Sequence, residues 1–175
     1  MNQSVLIVED ETPTRAAFAC AMGNAGWEVI EAADGAAALL SLARTSVSVI
    51  LLDLRLPDMN GFEVLERAAQ ISPPIELPLV VVVSAYIDAA AWPRFFELPI
   101  SVMIPKPIDP SPLPSLLQAV IDRDETALAS LPGTTRETLH VYVAGEGPKR
   151  RYIYRRPADR SLDMSEVGQP VTRLR

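Results

Sequence analysis

An aspartate at the end of an apolar run is the residue of this chain best placed to do chemistry. Residues 47–53 read VSVILLD, which is typical of a buried strand that ends in Asp53, and the turn-rich segment LRLPDMNG follows at residues 54–61. A carboxylate beside an apolar strand is costly to bury unless it binds or pairs with another group. Because ligands of open α/β sheets bind beyond the carboxyl ends of the strands, Asp53 predicts a functional site.

Three other predicted strand ends carry charged or hydroxyl side chains. Glu-Asp-Glu at residues 9–11 follows the first strand, Ser84 ends the fourth, and Lys106 follows the fifth. In a parallel sheet these ends share one edge, where clustered carboxylates repel one another unless a cation neutralises them. Carboxylate oxygens in a partly open site suit Mg²⁺. A carboxylate nucleophile with a metal, a lysine and a hydroxyl predicts phosphoryl transfer, with Asp53 forming an aspartyl-phosphate.

The chain that must position these residues alternates short apolar runs with helical patterns. Continuous runs of Val, Ile and Leu predict a parallel sheet buried on both faces. Five strand–helix repeats require right-handed crossovers, so an α/β domain with a doubly wound, five-stranded parallel sheet is predicted. The predicted strands are residues 4–8, 28–32, 47–53, 79–84 and 101–105, and the predicted helices are 13–23, 34–44, 61–70, a short one near 88–98 and one from about 112.

The last part of the chain has a different pattern. A helical apolar period from residue 112 to 131 predicts one long last helix, which Pro132 and Gly133 end. Residues 138–144 and 149–156 then alternate at period two, which predicts a β-hairpin. An isolated hairpin is marginally stable in water, so we expect it to pack against another surface.

Charge divides the chain at about the same place. Residues 1–125 carry 7 Lys and Arg against 17 Asp and Glu, a balance of −10, whereas residues 126–175 carry 9 against 5, a balance of +4. Such a split indicates two roles, or one part that docks on the other or on a polyanion. We therefore predict a domain at residues 1–125 and, at 126–175, a helix extension with a basic hairpin tail for dimerisation or partner binding.

Composition excludes several classes of protein. With 49% hydrophobic and 22% charged residues, the chain is typical of a soluble globular protein. Cys20 is the only cysteine, which excludes an intramolecular disulfide and a thiolate zinc cluster. The apolar run at residues 5–8 is too short for a signal peptide or a membrane span, so we expect a cytoplasmic protein.

Four segments together resemble the receiver domain of response regulators in two-component signalling. The resemblance covers about residues 3–123, and the fold that it implies is the flavodoxin-like receiver fold. The segments are LIVED at residues 6–10, LDLRLPDMNG at 52–61, VVSA at 82–85 and IPKP at 104–107.

The resemblance implies a role for each strand-end residue. Asp53 would accept a phosphoryl group from a histidine kinase or phosphotransfer protein, with Lys106 and Ser84 contacting that group. The Lys106–Pro107 peptide bond would be cis. Mg²⁺ would be held by Asp10, Asp53 and the backbone carbonyl of Arg55, with Glu9 nearby through water. The protein would assist only its own phosphorylation and dephosphorylation, so we do not expect an enzyme that turns over a metabolite.

Two departures from the family concern the surface that reports phosphorylation. Met103 stands three positions before the lysine, where the family usually has an aromatic residue. The segment Leu98-Pro99-Ile100 replaces the usual Gly-Ala. Pro93 lies in the fourth helical segment, and a proline in the interior of a helix destabilises that helix by about 3 kcal/mol. We therefore expect this helix to be short, displaced or restarted.

Other interpretations remain open beside this one. Asp53 could be structural, residues 9–11 could only complement the dipole of the following helix, and Lys106 could be a surface lysine. The basic tail with its tyrosines could bind DNA, as in a transcriptional regulator, or dock on the acidic domain. An aspartate-nucleophile phosphatase would place a second aspartate where this chain has Arg55. We also predict a homodimer formed through residues 112–131 and the tail, and no membrane partner.

Overall fold

A central sheet with helices on both faces forms the framework of this computed structural model, which describes residues 3–71, 77–85, 91–124, 127, 140–144 and 151–155. The strands are β1 (Ser4–Val8), β2 (Glu28–Ala32), β3 (Val49–Leu52), β4 (Leu79–Ser84), β5 (Ile100–Pro105), β6 (His140–Ala144) and β7 (Arg151–Arg155). The helices are α1 (Thr12–Asn24), α2 (Gly35–Arg44), α3 (Gly61–Ala68), α4 (Ala91–Glu97) and α5 (Leu113–Asp122). None of the helices among these residues is both long and apolar enough to cross a membrane.

The first five strands form the predicted parallel sheet. Their spatial order is β2-β1-β3-β4-β5, and every neighbouring pair is parallel. The strand order reverses direction at β1, and the carboxyl ends of β1 and β3 lie side by side there. That is the crevice in which open α/β sheets bind ligands. The predicted doubly wound fold is confirmed.

Two apolar clusters bury the two faces of the sheet. Successive residues of each strand point to opposite faces, so Leu6 packs with the α2, α3 and α4 side and Ile7 with the α1 and α5 side. Residues such as Phe62 and Leu65 of α3 fill the first cluster, and Leu116 of α5 belongs to the second. β1, β3 and β4 are thus buried on both faces over nearly their whole length, so polar chemistry on these three strands is confined to their ends.

Side chains cap the starts of α2 and α3. Asp34 accepts a hydrogen bond from the backbone N–H of Ala37 at 2.7 Å, and Asn60 accepts one from Phe62 at 2.9 Å. Both satisfy backbone donors that have no partner within the helix. The Thr12-Pro13 pair predicts a helix start capped by the threonine hydroxyl. That cap is wrong, because Thr12 is already the first residue of α1, and Glu11 before it makes no side-chain cap hydrogen bond.

The fourth helix is short within the described residues, as predicted. Its described part has 7 residues, Ala91–Glu97, and Pro93 is the third of them, near a helix start, where a missing N–H costs least. Arg94 contacts the carboxylate of Glu66 and lies over the ring of Phe62 at 5.7 Å from its centroid. These contacts hold α4 against α3.

The prediction of one continuous helix over residues 112–131 is wrong. The helix ends at Asp122, because Arg123 adopts a left-handed conformation with φ of 54°. The N–H of Asp124 bonds to Ala119 O at 2.9 Å and that of Arg123 to Val120 O at 3.3 Å, which is the Schellman pattern of helix ends. Asp124 then accepts a hydrogen bond from the N–H of Ala127 at 2.9 Å, as an N-cap residue does. The apolar pattern of the sequence thus continues past residue 122, although the helix itself ends there.

A pair of strands from the tail extends the sheet. β6 and β7 pair in an antiparallel register, and β7 pairs in parallel with β5, so the full order is β2-β1-β3-β4-β5-β7-β6. Ile153 of β7 is fully buried in the cluster on the α2–α4 side, opposite Met103 of β5. The segments between and beyond these strands, residues 145–150 and 156–175, lie outside the described residues.

Candidate functional site

The candidate site lies at the carboxyl edge of the parallel sheet, where the sequence predicts it. Asp53 follows β3, residues 9 and 10 follow β1, Ser84 ends β4 and Lys106 follows β5. Asp53 and Glu9 are buried, with 7% and 2% of their surface exposed, and Ser84 is fully buried. Charged side chains are rarely buried to this extent without partners, so the contacts among them decide what the site can do.

Lys106 is the central contact of the site. Its Nζ lies 2.6 Å from Glu9 Oε2 and also contacts Asp53 Oδ2. The lysine comes from a strand end two positions across the sheet from β3, so only the fold brings these three groups together. One ammonium group between two carboxylates pairs charge that would otherwise be costly to bury.

The second oxygen of Asp53 accepts hydrogen bonds from two donors. The Ser84 hydroxyl donates to Oδ1 at 2.7 Å, and the backbone N–H of Arg55 donates to the same atom at 3.0 Å. The carboxylate is thus fixed in orientation by a lysine on one oxygen and by a hydroxyl and an amide on the other. These donors orient the carboxylate and are placed to bind negative charge on an electrophile that reacts with it.

Burial and charge shift two pKa values in the site. Burial raises the pKa of Glu9 above its ordinary value, and the nearby Asp53 charge adds to this, although the hydrogen bond and charge of Lys106 act in the opposite direction. Burial alone would lower the pKa of Lys106, but its hydrogen bonds to Asp53 and Glu9 outweigh that effect and raise it. Lys106 is therefore a permanent cation at neutral pH.

The acidic residues of the site suit a divalent cation. Glu9, Asp10 and Asp53 each offer one carboxylate oxygen, and these three atoms lie within 4.8 Å of one another. Three carboxylates against the single charge of Lys106 leave two negative charges uncompensated. Oxygen ligands and a partly exposed position, with Asp10 at the surface, are what Mg²⁺ requires, because it keeps several waters. The residues present therefore fit Mg²⁺.

The predicted site residues come together. The Lys106–Pro107 peptide bond is cis, which confirms that prediction. Arg55 presents its backbone to Asp53, while its side chain is exposed. Its carbonyl as a metal ligand, and the role of each site residue in phosphoryl transfer, stay predictions. Met103, at the usual aromatic position, is fully buried on β5.

Sequence reasoning missed two side chains that hold the loops of the site. Arg15 Nη1 donates to the backbone carbonyls of Glu9 at 2.7 Å and Asp10 at 3.2 Å, so it fixes the acidic loop after β1. Asp58 accepts hydrogen bonds from the first two N–H groups of α2. The only signal for Arg15 is its position in the first turns of α1, five residues after Asp10. No local signal marks Asp58, because its partners lie more than twenty residues away.

Comparison with known proteins gives one family and several relatives. The sequence profile described as Response regulator receiver domain matches residues 5–118. The probable transcriptional regulator ycf27 of Cyanophora paradoxa is 26% identical over an alignment of 182 residues, gaps included, which covers 98% of this chain and 74% of that protein. Sporulation initiation phosphotransferase F of Bacillus subtilis (strain 168) is 29% identical over 109 residues, which cover 62% of this chain and 86% of that protein.

A solved structure has the same fold. The receiver domain protein (CheY-like) from Methanospirillum hungatei JF-1 is 25% identical, with a TM-score of 0.64, and the match covers 72% of this chain and 98% of that one. Several other curated relatives, transcriptional regulators by name, are longer than this chain, which spans about half of their length or less.

Proposed function

The chain belongs to the response regulator receiver family of two-component signalling, and we propose that its Asp53 accepts a phosphoryl group from a histidine kinase or phosphotransfer protein. The observation that carries this proposal is the contact of Lys106 Nζ with the carboxylates of both Asp53 and Glu9. A buried carboxylate between a fixed cation and two hydrogen-bond donors is a nucleophile prepared for a charged electrophile.

The proposed reaction is a phosphoryl transfer in which the protein is both acceptor and catalyst. An oxygen of Asp53 attacks the phosphorus of the phosphohistidine donor, the P–N bond breaks, and its electron pair returns to the imidazole. The product is an acyl phosphate on Asp53. Lys106 and the Ser84 hydroxyl, which now contact Asp53, are within reach of the oxygens of the transferred group. Attack of water on phosphorus later releases inorganic phosphate, so the chain acts only on itself.

Mg²⁺ is the cofactor of this proposal. Asp10, Asp53 and the carbonyl of Arg55 would hold it, with Glu9 nearby through water, and when bound it would neutralise charge on the phosphoryl oxygens. Burial makes Glu9 costly to ionise without such a partner. Arg15 keeps the acidic loop in place through the carbonyls of Glu9 and Asp10, so these two residues reach the site together.

The test of the proposed function uses the full chain, Mg²⁺ and a small acyl-phosphate donor, with intact mass as the readout. We expect the mass of one phosphoryl group to appear on the wild type and not on Asp53→Asn. Addition that survives this substitution, or no addition to the wild type, would overturn the proposal. A purified histidine kinase or phosphotransfer protein, phosphorylated beforehand, tests the donor class in the same assay, and we place this exchange in the cytoplasm.

Dimerisation through the C-terminal extension is a further part of the proposal. The tail adds two strands to the sheet, and β6 forms its outer edge within the described residues. Open strand edges pair readily with other strands, which favours a second copy of this chain as partner. Light scattering of the wild type, with and without phosphorylation, tests it. A monomer at high concentration in both states would overturn dimerisation.

A DNA-binding regulator that uses the basic tail is the second candidate function. It is favoured by the names of curated relatives, among them the ycf27 protein, whose match covers 98% of this chain. Cationic contacts to phosphates release counterions, so binding to duplex DNA should weaken steeply with salt. Neutralising Arg150, Arg151, Arg155 and Arg156 together should abolish binding. Binding that is unchanged in this variant would contradict the second candidate.

A further inference from the structure

We infer that Asp58 is a positioning residue for the phosphoacceptor site, because it ties the loop between β3 and α3 to the start of α2 and so holds the Arg55 backbone against Asp53. The inference rests on the proposed function, since it concerns the loop that would supply a metal ligand. Asp58 itself is exposed, and its carboxylate binds backbone N–H groups at the start of α2.

Both oxygens of Asp58 are used to hold α2. Oδ1 accepts from the N–H of Gly35 at 2.8 Å, and Oδ2 accepts from the N–H of Ala36 at 2.9 Å. With Asp34 bonded to Ala37, three consecutive N–H groups at the start of α2 are bound by two carboxylates. The hydrogen bond from Gly35, followed by that from Ala36, lowers the pKa of Asp58, so it is ionised at neutral pH.

The neighbouring residue makes the same junction tight. A Cβ built on Gly35 would lie only 2.6 Å from Met59 Sδ, so the Met59 side chain occupies the space that any other residue at position 35 would need. Asp58 and Met59 therefore fasten the tip of the loop to α2 by two carboxylate hydrogen bonds and by close packing. Movement of the loop tip away from α2 would break these hydrogen bonds and separate Met59 from Gly35.

The base of the loop is also constrained, and the proposed metal site lies there. Arg55 and Asn60 form an antiparallel bridge, and the N–H of Gly61 donates to Leu54 O at 2.9 Å. The Arg55 N–H donates to Asp53 Oδ1 at 3.0 Å. Because the bridge connects the tip to Arg55 within a few residues, a tip fixed on α2 fixes the orientation of the Arg55 peptide groups. Residues that orient the ligands of a metal contribute to the affinity of the site for that metal.

The experiment compares Asp58→Ala with Asp34→Ala in the full chain. Both substitutions remove a carboxylate cap from the same helix, but only Asp58 belongs to the loop, so Asp34→Ala is a matched control for the loss of capping. Binding of Mg²⁺ is measured by calorimetry, and hydrogen exchange of the Gly61 amide reports the loop without any metal. Thermal unfolding measures the cost to stability of each variant.

We expect the two variants to lose similar stability and to differ at the site. Asp58→Ala should raise the Mg²⁺ dissociation constant at least about threefold. This is less than the roughly 10- to 100-fold loss that follows removal of a direct hydrogen-bond partner of a metal ligand, because Asp58 acts through the loop. Asp34→Ala should change the dissociation constant less than about twofold. The Gly61 amide should exchange faster only in Asp58→Ala. Asp58→Asn, which keeps one acceptor oxygen, should lie between.

The outcomes separate this inference from the proposed function. If the wild type binds Mg²⁺ and Asp58→Ala binds it as tightly, or both variants weaken binding equally, the positioning role is overturned and the metal site stands. If the wild type binds no Mg²⁺, the proposed metal site is overturned, and the Gly61 exchange alone decides the role of Asp58. Equal exchange in both variants would then overturn it.

Discussion

At the scale of single residues, the site is a balance of charge around one lysine. Lys106 pairs with Glu9 and Asp53, and Asp10 adds a third carboxylate to the same small space. In the absence of a divalent cation this arrangement holds more negative charge than the lysine compensates. Burial, with a smaller contribution from the charge of Asp53, raises the pKa of Glu9, and this makes the stability of the metal-free protein depend on pH.

Glu9 should make the metal-free protein less stable as pH rises. Because burial places its folded pKa above the ordinary value of 4.5, its favourable contribution is complete below pH 4.5 and is lost as pH rises through the folded pKa. As pH rises from 4.5 through the folded pKa of Glu9, we expect the free energy of unfolding to fall less in Glu9→Gln than in the wild type. Urea denaturation in a chelator, from pH 4.5 upward, measures it. Parallel pH profiles would contradict the assignment.

Gly61 should not tolerate a side chain. A Cβ there would lie 2.9 Å from Leu54 Cα and closer still to Asp53 O, and both are backbone atoms that cannot rotate away. We expect Gly61→Ala to lower the free energy of unfolding by about 1–3 kcal/mol, because the backbone must shift. Gly23→Ala is the matched control, since a Cβ at Gly23 in α1 meets nothing within 4 Å. Chemical denaturation compares the two, and equal stability would contradict the close approach.

At the scale of elements, the sequence predicts the sheet better than the ends of its helices. All five parallel strands could be predicted because each is a short apolar run that local pattern reveals, and the polar residues at their ends follow from parallel topology. The end of α5 could not, because the apolar period continues past Asp122 while Arg123 turns left-handed. Asp58 and Arg15 could not either, since they bind backbone groups that only the fold brings near.

Arg123→Gly should stabilise the protein. A left-handed conformation costs a residue with a side chain about 1–2 kcal/mol, and glycine adopts it freely. We therefore expect the free energy of unfolding to rise by about 1 kcal/mol, measured by chemical denaturation. A helix that continued through residue 123 would instead be weakened by glycine by about 1 kcal/mol. The sign of the change thus distinguishes the break after Asp122 from the continuous helix.

At the scale of the whole molecule, the two strands that the structure describes in the basic tail are joined to the sheet. β7 pairs with β5 and buries Ile153 in the same cluster as Met103. This pairing could not be predicted from sequence, because the two strands are about fifty residues apart and no local sequence pattern indicates which strand another strand pairs with. The strand that carries Met103 and leads to Lys106 is therefore also the strand on which the tail docks.

Ile153→Ala should destabilise the entire domain. Removing a fully buried isoleucine side chain costs about 2–5 kcal/mol of unfolding free energy, and the loss should appear in one cooperative transition that includes the receiver core. Leu40→Ala on α2, where the leucine is 51% exposed, is the control and should change stability by less than about 1 kcal/mol. Unchanged stability of Ile153→Ala would show that the tail contributes nothing to the sheet.

The most direct test of the central claim is to locate the phosphoryl group. The full chain is incubated with a small acyl phosphate, with Mg²⁺ or with a chelator, and then digested and mapped by mass spectrometry. We predict one phosphoryl group, on Asp53, only when Mg²⁺ is present, with a strong loss in Lys106→Ala. A phosphoryl group on any other residue, or equal labelling of Asp53 in the chelator, would contradict the claim that these strand ends form a metal-dependent phosphoacceptor site.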